Sequence, residues 1–204
     1  MLDPKILRLV AITDDVEDQR STLVDRVAAA VRGGATSVQV RLKRATPREV
    51  VEITRAIVSK VPVPVIVNDR ADIALASGAA GVHVGEADLP VTAIRRFAPA
   101  GFIIGASLGA EAELANAKEA DYVGIGPLFA TDTKEDAGKA IGIDGFKRFA
   151  GLVGLPAVAV GGLTADRAAQ VMAAGGAGVA VINAIFKGGD PETAARSIAA
   201  AIGM

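Results

Sequence analysis

Two aspartates, Asp69 and Asp88, each sit in a polar stretch that follows a run of Val and Ile, in "VIVNDR" and "VHVGEAD". Two carboxylates with few other ligands suit Mg2+, which keeps several waters and takes substrate phosphate oxygens for the rest. Each also has a structural explanation, because an Asp ahead of a helix caps it or sits in its first turn. Asp69 directly precedes a helical pattern, and Asp88 precedes Leu89-Pro90. Gln39, Arg41 and Lys43 alternate in "QVRLK" and lean to one side for as long as a strand continues. Two cations there suit a phosphate or diphosphate, Arg gripping two oxygens at once. Strand ends also gather charge simply because they meet water.

A third constellation lies in residues 124–142, "GIGPLFATDTKEDAGKAIG". After an apolar run the chain shows neither helical nor strand period, and compact domains rarely keep so long a loop unless it works or is disordered. Thr131 and Thr133 offer hydroxyls, Lys134 a movable positive charge, and Gly138 and Gly142 freedom to open and close. Ordering such a loop over a polyphosphate would keep water from a reactive intermediate. Gly161-Gly162 follows another apolar run and lets backbone come close to a ligand. A helix starting near Ile182-Asn183 would turn free N–H groups into the same space. Ser107 follows a further run. The single histidine, His83, lies inside an apolar run and reads as a hydrogen-bonded core or rim residue ahead of a catalytic base.

What must position these groups is a set of short apolar runs at 6–12, 37–40, 63–67, 81–84, 102–105, 122–125, 157–160 and 178–181. They are rich in Val and Ile and mostly do not alternate with polar residues, as expected of parallel strands buried on both faces. Helical patterns separate them, for instance "TPREVVEITRAIVSK", "AEAELANAKEA" and "TADRAAQVMAAGG". Pro47 and Pro90 are placed for first helical turns, and Gly33-Gly34 and Gly175-Gly176 for left-handed helix ends. Eight strand–helix units predict an α/β fold, a single (β/α)8 TIM barrel spanning residues 1–204, whose chemistry gathers at the C-terminal ends of the strands. A doubly wound open sheet is the competing architecture. It usually carries a glycine fingerprint after the first strand, where this chain has Thr13-Asp14-Asp15.

Composition narrows the function classes. The 204 residues are 51% hydrophobic but only 3% aromatic, so the core is aliphatic. A net charge of −1 and the scarcity of aromatics argue against a nucleic-acid partner. No cysteine is present, which excludes disulfides and thiolate metal sites, and one histidine cannot build a His-rich centre. No apolar stretch approaches the ~20 residues of a membrane helix, and the first apolar run is too short for a signal peptide. The expectation is a cytoplasmic protein with no membrane association, acting on small phosphorylated molecules, with room for a homo-oligomer.

"VNDRADIALASGAAGVHVGEADLP", "ADYVGIGPLFATDTKEDA" and "AVGGLTADRAAQVMAAGGAGVAVINAIF" together resemble the thiamine phosphate synthase family, across residues 7 to 186. The resemblance implies a (β/α)8 barrel that joins hydroxymethylpyrimidine diphosphate to a thiazole phosphate, releasing pyrophosphate and giving thiamine monophosphate. It implies Mg2+ on Asp69 and Asp88. It places Gln39 near the pyrimidine, with Arg41, Lys43 and Asn68 as pyrophosphate and pyrimidine-side contacts. Ser107, Thr131, Thr133 and Lys134 become substrate contacts, with Arg41, Lys43, Ser107 and Lys134 serving the reaction, and Gly162, Ile182 and Asn183 cradle the thiazole phosphate. The family reaction is held to be dissociative and needs no strong base. The chain departs from the family pattern at Leu42, at Glu86 and Ala87, at Leu108-Gly109 and at Asn183. The related thiazole tautomerase shares the barrel but uses a histidine after strand five, where this chain has Ser107-Leu108-Gly109. A barrel that binds a thiamine precursor without turning it over is the third reading.

Overall fold

A computed structural model describes residues 2–130 and 139–204. Its eight strands are β1 (Leu9–Ile12), β2 (Ser37–Val40), β3 (Val65–Asn68), β4 (Gly81–Val84), β5 (Ile103–Leu108), β6 (Tyr122–Ile125), β7 (Ala157–Val160) and β8 (Gly178–Val181). All neighbours pair in parallel, and β8 returns to β1 through Leu9 opposite Val179, which closes the barrel. The helices are α1 (Leu23–Arg32), α2 (Pro47–Lys60), α3 (Ala71–Ser77), α4 (Val91–Arg95), α5 (Leu114–Ala117), α6 (Gly142–Val153), α7 (Ala165–Ala173), α8 (Asn183–Phe186) and α9 (Pro191–Ala201). The expected (β/α)8 barrel is therefore the observed fold, and the open sheet is excluded.

Two apolar layers explain why the strands do not alternate with polar residues. Val10, Ile12, Ile66, Val158 and Ala180 fill the barrel interior. Leu9, Ala11, Val38, Val67 and Val179, on the other face of the same strands, pack in the layer that includes helix residues such as Ile57 and Phe146. Both sides of a strand are thus dry, and β-branched residues suit both.

Three expectations need correction. The run 6–12 does not begin as strand, because Pro4–Leu7 forms a 3-10 turn capped by Asp3, whose carboxylate accepts the Lys5 N–H at 2.9 Å. Proline fixes the φ that such a first turn needs, and Leu7 then joins the barrel's interior cluster. The helix expected over 110–120 is a 3-10 turn, Glu111–Glu113, followed by one α turn. The Glu113 carboxylate folds back to accept the Ala110 N–H at 2.9 Å, which shapes that entry. Pro90 stands at the N-cap of α4, in extended backbone, and not inside the first turn. Pro47 does occupy the first turn of α2, behind a capping box of Thr46 and Glu49.

The turn under the barrel also constrains its closing strand. A methyl group added at Gly178 would lie 1.8 Å from the Leu7 carbonyl oxygen. Gly178→Ala must therefore shift backbone, and we expect it to lower stability by about 1–3 kcal/mol, the usual range for overpacking. The measurement is the urea midpoint. An unchanged midpoint would contradict the tight seating of the turn against β8.

Candidate active site at the strand ends

Gln39 is buried on β2, and its Nε2 donates to Asn68 Oδ1 at 2.7 Å, so two amides from adjacent strands form one polar edge. β2 ends at Val40, so the alternation expected through Lys43 rests on loop geometry. That loop is held by the end of β1. The Arg41 N–H donates to Thr13 Oγ1 at 2.8 Å, and the Arg44 N–H donates to the Asp15 carboxylate at 2.6 Å. Arg41 reaches the barrel mouth, where its Nε is buried and finds no acceptor among the described residues. Lys43 forms an ion pair with Asp69.

Asp69 takes φ 66°, a left-handed conformation that few residues other than glycine adopt. Its N–H donates to the His83 carbonyl at 2.7 Å, extending the β3–β4 pairing by one bond. It is not the cap of α3, whose N-cap is Arg70, a residue that makes no side-chain capping hydrogen bond. The capping explanation therefore fails, and the backbone turn instead leaves the Asp69 carboxylate with Lys43 and Asp88. Asp88 accepts the Gly85 N–H at 2.8 Å and so closes its own turn and caps no helix. Burial pushes its carboxyl above the usual range. The Gly85 hydrogen bond opposes that shift, the neighbouring Asp69 carboxylate adds to it, and Lys43 again opposes it.

Two like charges this close are held apart energetically unless a proton or a cation sits with them. Among the described residues no group of three or more His, Cys, Asp or Glu could enclose a metal. The pair does fit a hard cation that takes two carboxylates and completes its shell with water and phosphate oxygens.

Ser107 lies inside β5, which runs further than expected, and its Oγ is 3.2 Å from His83 Nε2. His83 Nδ1 is 3.0 Å from the hydroxyl of Tyr122, a buried residue of β6. The histidine is thus the hydrogen-bonded rim residue that its position in the run predicts. Gln39, Arg41, Asn68, His83, Ser107 and Tyr122 meet around a space of about 30 Å³ whose floor is aliphatic. A larger open groove, about 420 Å³, lies on the outer wall between α2 and α3, and none of the candidate residues lines it.

Gly161 and Gly162 both have positive φ, at 98° and 62°. The backbone they approach is the chain's own: a methyl at Gly162 would fall 2.7 Å from the Ala130 carbonyl, and one at Gly161 2.9 Å from Pro127. Their glycine character is thus explained by packing against residues 127–130, which come after β6, with no ligand needed. Ile182 is the N-cap of the single-turn helix α8, and Asn183 begins that helix. Thr131, Thr133, Lys134 and Gly138 lie outside the described residues.

Several positioning residues were not singled out from the sequence. Asp14 binds Arg26 through both oxygens, at 3.0 and 2.7 Å, and Arg26 also donates to the Phe186 carbonyl at 2.7 Å. This ties the end of β1 to the end of α8. Arg167 donates to the Gly162 carbonyl at 2.5 Å and lies over the Phe129 ring at 4.5 Å. The run Thr13-Asp14-Asp15 was the available signal, since three polar residues ending an apolar strand need partners.

Comparison with known proteins gives the family. The model for thiamine monophosphate synthase matches residues 9–185. The chain belongs to the thiamine monophosphate synthase family. It is 45% identical to a thiamine-phosphate synthase of Methanoculleus marisnigri, over 93% of this chain and 92% of that one. It is 43% identical to a thiamine-phosphate synthase of Moorella thermoacetica, again over 93% and 92%. Among solved structures, thiamine phosphate pyrophosphorylase from Pyrococcus furiosus superposes with a TM-score of 0.87 at 34% identity, covering 98% of this chain and 96% of that one. The resemblance carried by the quoted segments is thereby borne out.

Proposed function

We propose that the barrel couples hydroxymethylpyrimidine diphosphate with thiazole phosphate, giving thiamine monophosphate and pyrophosphate with the help of Mg2+. Membership of the family makes the chain a thiamine-phosphate synthase, a transferase of thiamine biosynthesis that acts on small phosphorylated substrates. The observation that carries the finer reading is the meeting of Asp69, Asp88 and Lys43 at the ends of adjacent staves.

In this reading the carbon–oxygen bond to the diphosphate breaks first, and its electron pair leaves on the pyrophosphate oxygen. The pyrimidine-stabilised cation is then captured by the thiazole nitrogen. Asp69 and Asp88 would hold Mg2+, which when bound offsets charge on the departing diphosphate. Arg41 and Lys43 grip the same group from the β2 side. The amides of Gln39 and Asn68 read the polar edge of the pyrimidine, and Ser107 contacts substrate from β5. By the family resemblance Thr131, Thr133 and Lys134 are substrate contacts, and Gly162, Ile182 and Asn183 take the thiazole phosphate. No side chain is asked to remove a proton from carbon, which agrees with a site that has no histidine after β5.

No described helix is long and apolar enough to cross a membrane. We take the enzyme to work in the cytoplasm, without nucleic acid or membrane partners, as a single chain or a homo-oligomer.

The experiment is incubation with both substrates, with and without Mg2+, assayed for thiamine monophosphate. The expected result is product only when Mg2+ is present. Metal-independent isomerisation of a thiazole phosphate carboxylate would instead make the chain a tautomerase, and heat of binding without product would make it a binding barrel.

A further inference from the structure

The barrel interior holds a three-residue chain that joins Ser107 to two residues, His83 and Tyr122, to which the reaction as described above gives no role. Tyr122 Oη lies 3.0 Å from His83 Nδ1, and His83 Nε2 lies 3.2 Å from Ser107 Oγ. The three residues come from β6, β4 and β5, so the chain runs from the barrel core outward to the mouth. Neighbouring glycines make the space for it. A methyl at Gly105 would stand 2.3 Å from the Tyr122 ring and 2.5 Å from His83 Nδ1. A methyl at Gly124 would stand 2.9 Å from His83 Cε1. The two rings therefore occupy volume that any other residue at these positions would fill, and they meet tilted by 42°.

The direction of the hydrogen bonds follows from the inner end. Burial pushes the Tyr122 hydroxyl well above its ordinary pKa, with the charge of Asp121 adding to it, so the phenol keeps its proton. A buried hydroxyl proton needs an acceptor, and among the described residues the acceptor in reach is His83 Nδ1. If Nδ1 carried the hydrogen instead, two donors would face each other, or the phenol proton would turn to a dry wall. Tyr122 therefore donates to Nδ1. In a neutral imidazole that puts the hydrogen on Nε2, which then donates to Ser107 Oγ. With one of the two Oγ lone pairs taken by Nε2–H, the Ser107 proton is freed for a ligand, where the opposite tautomer would draw it to the imidazole.

We propose that Tyr122 is a positioning residue: through the His83 tautomer it fixes Ser107 as a hydrogen-bond donor toward an acceptor atom of the substrate. The consequence is that this part of the mouth can donate to a substrate lone pair, as on a phosphate oxygen or a ring nitrogen, which the opposite tautomer would not allow. The inference rests on the reading of Ser107 as a substrate contact.

The test uses the fact that His83 is the only histidine. Protein labelled with 15N-histidine gives the spectrum of one imidazole, whose two nitrogens report the tautomer directly. In the wild type we expect Nδ1 to be unprotonated and Nε2 protonated, and in Tyr122→Phe we expect the tautomers to mix. A wild-type imidazole with its hydrogen on Nδ1, or on both nitrogens, overturns the proposal.

The kinetic arm is a double-mutant cycle. Tyr122→Phe is expected to lower kcat about tenfold with the wild-type Ser107, a normal size for coupled neighbours, and less than about twofold in a Ser107→Ala background. An equal loss in both backgrounds, or no loss in either, means that Tyr122 does not act through Ser107. The spectrum is read on the protein alone. A wild type that forms no thiamine monophosphate therefore sinks the functional reading, while the tautomer still decides the hydrogen-bond chain.

Discussion

Asp88→Asn lowers Mg2+-dependent formation of thiamine monophosphate by at least about a hundredfold, the scale on which loss of transition-state charge stabilisation is felt. Asparagine is the informative substitution because its amide oxygen can still accept the Gly85 N–H that closes the turn. What it removes is the charge. Burial and the neighbouring Asp69 carboxylate already disfavour the ionised form of Asp88. Neutralising it relieves repulsion in the metal-free protein and, on the proposed reading, removes a ligand from the metal-bound one. Stability and activity should therefore part company. Thermal melting without Mg2+ should stay level or rise, and steady-state turnover with Mg2+ should collapse. Unchanged turnover would remove Asp88 from the metal site.

Arg41→Lys comes next in size, with kcat/KM for the pyrimidine diphosphate falling about ten- to a hundredfold. The substitution keeps the charge and still fails, because an arginine fork grips two oxygens while an ammonium is a point charge on a flexible stem. The Arg41 backbone is pinned by Thr13, so a lysine would be presented from the same place. The guanidinium Nε is buried with no acceptor among the described residues. A dry unsatisfied donor is unfavourable until a ligand oxygen meets it, so the empty protein should tolerate the exchange without loss of stability. A kcat/KM at the wild-type level would show that Arg41 supplies bulk charge and no specific grip. Steady-state kinetics with the diphosphate varied at saturating thiazole phosphate reads this directly.

The sequence made the barrel legible because two-sided burial imposes a simple code. The runs at 37–40, 81–84, 122–125, 157–160 and 178–181 coincide with strands, since short Val- and Ile-rich segments suit dry surroundings on both faces. The code failed at residues 6–8, where Pro4 and the Asp3 cap favour a 3-10 turn over an equally apolar strand. It also failed over 110–120, where helical spacing is present but Glu113 is spent on backbone N–H groups.

Strand-end residues could be found by counting along each run, which is how Asp69, Asp88 and Lys43 were reached. Their partners could not. Arg26 serves Phe186 from 160 positions away, and His83 meets Tyr122 from 39 positions away. Such pairs are set by barrel closure, and no spacing in a single sequence encodes them. The left-handed turn at Asp69 was hidden for a similar reason: an aspartate before a helical pattern reads as a cap, and only the bond to the His83 carbonyl shows that it is not.

The central claim is that acids from adjacent staves hold a divalent ion for a departing diphosphate. Its most direct test is calorimetric titration of Mg2+ in the presence of pyrophosphate, for the wild type, Asp69→Asn and Asp88→Asn. The prediction is saturable binding by the wild type and an affinity at least about tenfold weaker in each variant, as befits loss of a ligand or its support. Wild-type Mg2+ affinity in both variants would contradict the account.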